Sequence, residues 1–132
     1  MIEVVSAMLS NVQNMPISVK TPVGIDELDT LEYFIQFIGR LRNDAGCRKF
    51  IIHARKCVLG GLLSPEQNRI IPPLNYPQVY ALCDHLTDCT FVLIGGIPGL
   101  DAAKQLCRGT FSNNHPYKKK DAVSVNSKKT AW

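Results

Sequence analysis

Apolar residues recur at helical spacing through Ile2, Val5, Met8, Leu9 and Val12, which predicts an amphipathic helix over residues 2–13. Asn14 and Pro16 end it. Residues 17–20 form a short β-prone run closed by Pro22 and Gly24. Asp29 or Thr30 can cap a second helix, whose stripe is Leu31, Phe34, Ile35, Ile38 and Leu41, and Gly46 stops it. A second apolar run, residues 50–52, gives way abruptly to polar residues at His53. Residues 55–76 are a long Gly-, Pro- and Asn-rich segment, of a length that in compact domains usually marks function or disorder. Pro77 suits the first turn of a third helix, with Val79, Tyr80, Leu82 and Leu86 facing inward. Residues 91–94 make a third strand closed by Gly95 and Gly96, and residues 101–106 a last short helix. After Cys107 the periodicity dissolves.

Strands separated by helices predict an α/β fold with three parallel strands near residues 17–20, 50–53 and 91–94, about three βα units. The strand runs lack hydrophobic–polar alternation, which suits strands covered on both faces. Three strands cannot close a barrel, so at least one sheet edge is expected to stay open, with marginal stability and association through that edge.

The hydrophobic share of 45% is enough for the first hundred or so of the 132 residues to form a core. The net charge of +4 is compatible with a nucleic-acid partner without demanding one. It resides in Lys118, Lys119, Lys120, Lys128 and Lys129, so the chain divides into a core-forming part, residues 1–108, and a basic low-order tail, residues 109–132. The five cysteines include no C-x-x-C pair, so neither a disulfide framework nor a zinc site is suggested, no metal is expected, and a reducing compartment fits. The longest apolar run, residues 91–97, is too short to span a bilayer and no signal peptide opens the chain. A soluble, cytoplasmic protein with no membrane association is expected; an organellar address stays open if residues precede Met1.

Ligands of parallel α/β folds gather at the carboxyl ends of the strands. That edge selects Lys20 after the first strand, His53, Arg55 and Lys56 after the second, and Gly95 and Gly96 after the third. Taken singly, these are a solvated charge, a rim histidine and a turn. Taken together they offer cations and bare backbone amides at one edge, which is what a phosphorylated cofactor requires.

The segments Ile17-Ser18-Val19-Lys20, Gly24-Ile25-Asp26, Phe50-Ile51-Ile52-His53-Ala54-Arg55-Lys56, Ser64-Pro65, Asn68-Arg69, Ile71-Pro72-Pro73-Leu74 and Gly95-Gly96-Ile97 resemble successive signatures of the tRNA-dihydrouridine synthases. The likeness is to the bacterial-type D-loop branch, over roughly residues 2–107. The histidine-to-lysine run followed by the long loop is the specific part. The resemblance implies that the strands belong to a TIM (β/α)8 barrel binding FMN, with NADPH as reductant and tRNA as substrate. In that family the reduced flavin delivers hydride to a flipped uridine and a cysteine protonates the neighbouring carbon.

Carried over by position, Lys20 and His53 match flavin contacts, Gly95 and Gly96 match the glycines that hold the FMN phosphate, Arg55 and Lys56 line the substrate mouth, and Arg69 matches a tRNA contact. Several positions depart from the family's pattern. Pro22 and Glu66 stand where basic residues are usual, Ile94 where Asn is usual, and Leu62-Leu63 adds a residue to the loop. The proton-donating cysteine is expected upstream of Met1, so no catalytic residue is assigned within the chain. The Gly-Arg motif expected after Cys107 has no counterpart from Gly109 onward. A fragment inactive alone is therefore expected. The competing readings are a non-catalytic RNA-binding remnant of the same family and an unrelated phosphate-binding aldolase or isomerase barrel; the long loop disfavours the last.

Overall fold

The computed structural model describes residues 1–12, 15–60 and 64–108. In chain order they form α1 (Ile2–Asn11), β1 (Val19–Pro22), α2 (Leu31–Asn43), β2 (Lys49–His53), α3 (Pro65–Asn68), α4 (Tyr76–His85), β3 (Thr90–Ile94) and α5 (Leu100–Cys107). The strands make one parallel sheet in the order β1-β2-β3, as the strand–helix alternation predicts. Among the described residues β1 and β3 each have one neighbour, so both edges of the sheet are open.

The register places Val19, Phe50 and Phe91 in one row and Ile52 and Leu93, beside Thr21, in the next on the same face. All are buried, in one core with Phe34, Ile38 and Leu41 of α2 and Tyr76, Val79 and Leu82 of α4. The Phe50 and Phe91 rings stack with centroids 5.7 Å apart. The alternate residues, Lys20, Ile51 and Val92, then Pro22, His53 and Ile94, share the opposite face and stay partly exposed. The expectation that both faces are covered is thus corrected: the described residues cover one. A closed barrel fills that second face with side chains from all its strands; here three strands contribute.

The first strand is displaced by two residues from the expected 17–20. The ladder with β2 continues through Thr21 to Pro22, opposite His53. Proline is tolerated there because β1 is an edge strand and a ladder donor is dispensable at its end. Lys20 therefore lies within β1 instead of closing it.

Local caps explain the helix starts. The Thr30 hydroxyl, not Asp29, accepts from the Tyr33 N–H at 3.2 Å. Asn75 caps α4 by accepting from the Gln78 N–H, with Pro77 in the first turn. The long loop contains α3, which carries no hydrophobic period: Ser64 and Gln67 close a reciprocal capping box around it. The Tyr80 hydroxyl donates to the Leu106 carbonyl at 2.7 Å and ties α5 to α4. At the amino end of the sheet Arg42 of α2 donates to both carboxylate oxygens of Asp88, at 2.8 and 3.0 Å, and holds that carboxyl below its ordinary range. No helix among the described residues is long and apolar enough to cross a membrane. The expected low-order tail, residues 109–132, lies outside the described residues, as does the Leu62-Leu63 pair.

Candidate functional site

His53 ends β2 on the partly open face of the sheet, two positions beyond Ile51, which pairs with Lys20. The backbone around it is pinned on both sides. The Val23 N–H donates to the His53 carbonyl at 3.1 Å, the Ala54 N–H to the Ile94 carbonyl at 2.9 Å, and the Asn75 N–H to the Ala54 carbonyl at 2.7 Å. Burial, followed by the positive charges of Arg55, Lys20 and Arg69, pushes the His53 imidazole below its ordinary value. Three cations thus act on one imidazole, from β1, from the end of β2 and from the loop after it. The ring is held neutral, and a bound anion would be favoured by all three.

Arg55 is anchored through one nitrogen, its Nη1 donating to the Pro72 carbonyl. Its Nε is buried and has no hydrogen-bond partner among the described residues. A buried guanidinium donor without an acceptor is uncommon and invites one.

Gly95 and Gly96 follow β3 with φ of 108° and 65°, backbone that favours glycine. Space demands glycine as well. A Cβ on Gly95 would lie 2.6 Å from His53 Cδ2, and one on Gly96 would lie 2.4 Å from Leu74 Cδ1. The Tyr76 hydroxyl donates to the Gly95 carbonyl at 2.6 Å. Neither glycine N–H donates a hydrogen bond among the described residues. Two adjacent free amides at the end of a parallel strand are a ready anion cradle.

The rim is built from two interlocked loops. Asp26, at φ 48°, accepts from the Leu59 and Gly60 N–H groups at 2.7 and 3.3 Å. Asn68 exchanges two hydrogen bonds with the Val58 backbone, at 2.7 and 2.9 Å. Lys56 donates to Asp29 Oδ2 at 2.9 Å and to the Asp26 carbonyl at 3.2 Å.

The structure therefore brings Lys20, Arg55 and Arg69 into electrostatic reach of His53 and sets Gly95 against the His53 ring. It engages the Lys56 ammonium in bracing the rim. The sequence assigns no site role to Tyr76, and Pro72 and Leu74 enter only as members of a motif. The sequence pattern puts Tyr76 at the end of the long loop; in the structure it opens α4 and is buried, and its hydroxyl finds the glycine turn only through the fold. A cleft of about 480 Å3 lies elsewhere, beside α1 and α2, and contains none of these residues. Cys47 and Cys83 are buried, and burial pushes the Cys89 thiol up, away from a reactive thiolate.

The described residues define an α/β protein with a parallel sheet whose carboxyl edge gathers cations and glycine amides, a recurrent setting for phosphorylated ligands. The family model for dihydrouridine synthase (Dus) matches residues 1–111. Curated relatives named tRNA-dihydrouridine(20/20a) synthase include those of Vibrio vulnificus strain CMCP6, 41% identical over 99 residues, and Escherichia coli O6:H1 strain CFT073, 45% identical over 96 residues. The Pasteurella multocida strain Pm70 relative is 46% identical over 101 residues. These alignments take in 75%, 73% and 76% of this chain, and 30%, 29% and 30% of the respective relatives. The chain belongs to the dihydrouridine synthase family, and it spans about 30% of the length of these curated relatives. Its three parallel strands in an open sheet are consistent with part of a (β/α)8 barrel.

Proposed function

We propose that residues 1–108 form part of the FMN site of a tRNA-dihydrouridine synthase, an NADPH-linked oxidoreductase that reduces uridine in the tRNA D-loop. The observation that carries this reading is the convergence of Lys20, Arg55 and Arg69 on His53, beside Gly95 and Gly96 amides that donate to no described residue. The residues present fit a phosphorylated flavin: Arg55 Nε, unpartnered among the described residues, offers a donor, and the glycine turn offers two amides that donate to no described residue. Bound FMN supplies hydride-transfer chemistry, renewed by NADPH.

The chain's own residues bind and orient. Lys20 and His53 would hold the flavin, the Lys20 ammonium supplying a positive charge beside it. Gly95 and Gly96 donate to the phosphate. Arg55 and Arg69 present positive charge at the mouth to tRNA, with Lys56 fixing the rim from which they act. A uridine stacked in an RNA helix cannot reach this edge, so the target base is flipped out. The basic segment 109–132 adds nonspecific, salt-sensitive RNA affinity, and a cytoplasmic location follows from the same reading.

None of the five cysteines is assigned as proton donor, and three strands supply only part of a barrel. We therefore propose that the chain does not reduce uridine alone. Lack of a general acid costs on the order of 10²–10⁴-fold in rate before any loss of pocket shape. The test is dihydrouridine formation in unmodified tRNA with FMN and NADPH supplied, beside a full-length relative. Turnover within about tenfold of that relative would show that another group here donates the proton.

A further inference from the structure

The geometry points to Tyr76 as a positioning residue that aims the Gly96 amide at the anion cradle, acting through the Gly95 carbonyl. The proposal rests on reading the Gly95–Gly96 turn as a phosphate site. Tyr76 is nearly fully buried, at 2% exposure, and its hydroxyl donates to the Gly95 carbonyl at 2.6 Å. That carbonyl and the Gly96 N–H belong to one planar trans peptide unit and point in opposite directions. Fixing the carbonyl toward Tyr76 turns the Gly96 N–H away from the core.

The turn needs such a fastening. Both glycines have positive φ, the conformationally freest residue type occurs twice in succession, and neither amide is tied down among the described residues. Leu74 also stands against the place of a Gly96 Cβ, beside the Tyr76 hydroxyl, but an apolar contact sets no peptide orientation. Tyr76 is also a durable donor. Burial raises its hydroxyl above the ordinary value, so it keeps its proton across the physiological range. The ligand chemistry is a terminal phosphate monoester, and the contribution of Tyr76 falls on that group alone.

FMN and riboflavin share ring and ribityl chain and differ in the phosphate, so the pair isolates the effect. Flavin fluorescence titrations of the whole chain should show FMN bound more tightly than riboflavin. Tyr76→Phe should weaken FMN about tenfold, the loss of one well-aimed hydrogen bond, and leave riboflavin unchanged. Tyr80→Phe, which loses the bond to the Leu106 carbonyl away from the turn, should leave the FMN-to-riboflavin ratio intact. If Tyr76→Phe weakens both flavins alike, or changes neither, the positioning role is wrong while the cofactor site stands. If the unmodified chain shows no preference for FMN, the phosphate reading itself falls. A ligand-free measurement judges the turn independently: Tyr76→Phe should move the Gly95 and Gly96 amide resonances and speed Gly96 exchange. Unmoved resonances would overturn the inference whatever the flavins do.

Discussion

Lys56 Nζ lies 2.9 Å from Asp29 Oδ2, so the charge that follows β2 is held by the residue just before the cap of α2. The same ammonium reaches the Asp26 carbonyl, and Asp26 in turn holds the Leu59 and Gly60 amides. The pair raises Lys56 above its ordinary value, led by the hydrogen bond to Asp29. Its work is to join two loops. Replacing Lys56 with Met should leave the melting temperature nearly unchanged and speed amide exchange at Leu59 and Gly60. Exchange at those amides as slow as in the unmodified chain would assign the loop's order to Asp26 and Asn68 alone.

His53 gives the chain a pH dependence of defined sign. Its folded value lies below the ordinary 6.5, because burial and the charges of Arg55, Lys20 and Arg69 oppose a further proton. Between the two values the unfolded chain binds more protons, so stability rises with pH. It is complete above the unfolded value, declines as pH falls below it and levels off under the folded one. Denaturant midpoints from about pH 5 to 8 should show this slope, and His53→Gln should flatten it. Bound phosphate should raise the imidazole value, which proton NMR of the ring reads directly.

Two glycines separate backbone freedom from backbone need. Gly39 sits inside α2 with nothing within 4 Å of an added Cβ, so Gly39→Ala should stabilise by about 0.5–1 kcal/mol. Gly95 sits at φ 108° with His53 Cδ2 2.6 Å from the added atom, so Gly95→Ala should destabilise by about 1–3 kcal/mol. Equilibrium denaturation of the two variants checks both signs.

The apolar periods of α1, α2 and α4 and the runs of β2 and β3 were legible because each is a local pattern. The sequence places β1 two residues early because Thr21 and Pro22 look like a terminator; their pairing to Ile52 and His53 is a tertiary fact. α3 escaped because a single turn held by Ser64 and Gln67 has no hydrophobic period to read. The absence of alternation in β2 and β3 suggested cover on both faces, since composition does not tell which apolar residues a fold leaves half open. Of the candidate site residues, His53, Arg55, Gly95 and Gly96 follow from strand ends and family motifs, whereas Lys20 follows from a motif alone, since it lies within β1. The bonds from Arg55 to Pro72 and from Tyr76 to Gly95 span 17 and 19 residues and exist only once the strands are in register.

The most direct test is an FMN titration of the purified chain followed by flavin fluorescence, repeated with Lys20→Ala and with Gly96→Ala. The site as described predicts saturable binding that each substitution weakens by about tenfold or more, Lys20→Ala by removing a charge on the flavin and Gly96→Ala by driving a Cβ into Leu74 at a positive φ and so distorting the turn that presents the amides. Saturable FMN binding that neither substitution alters, or none at all in the unmodified chain, would contradict a cofactor site at the carboxyl edge of these three strands.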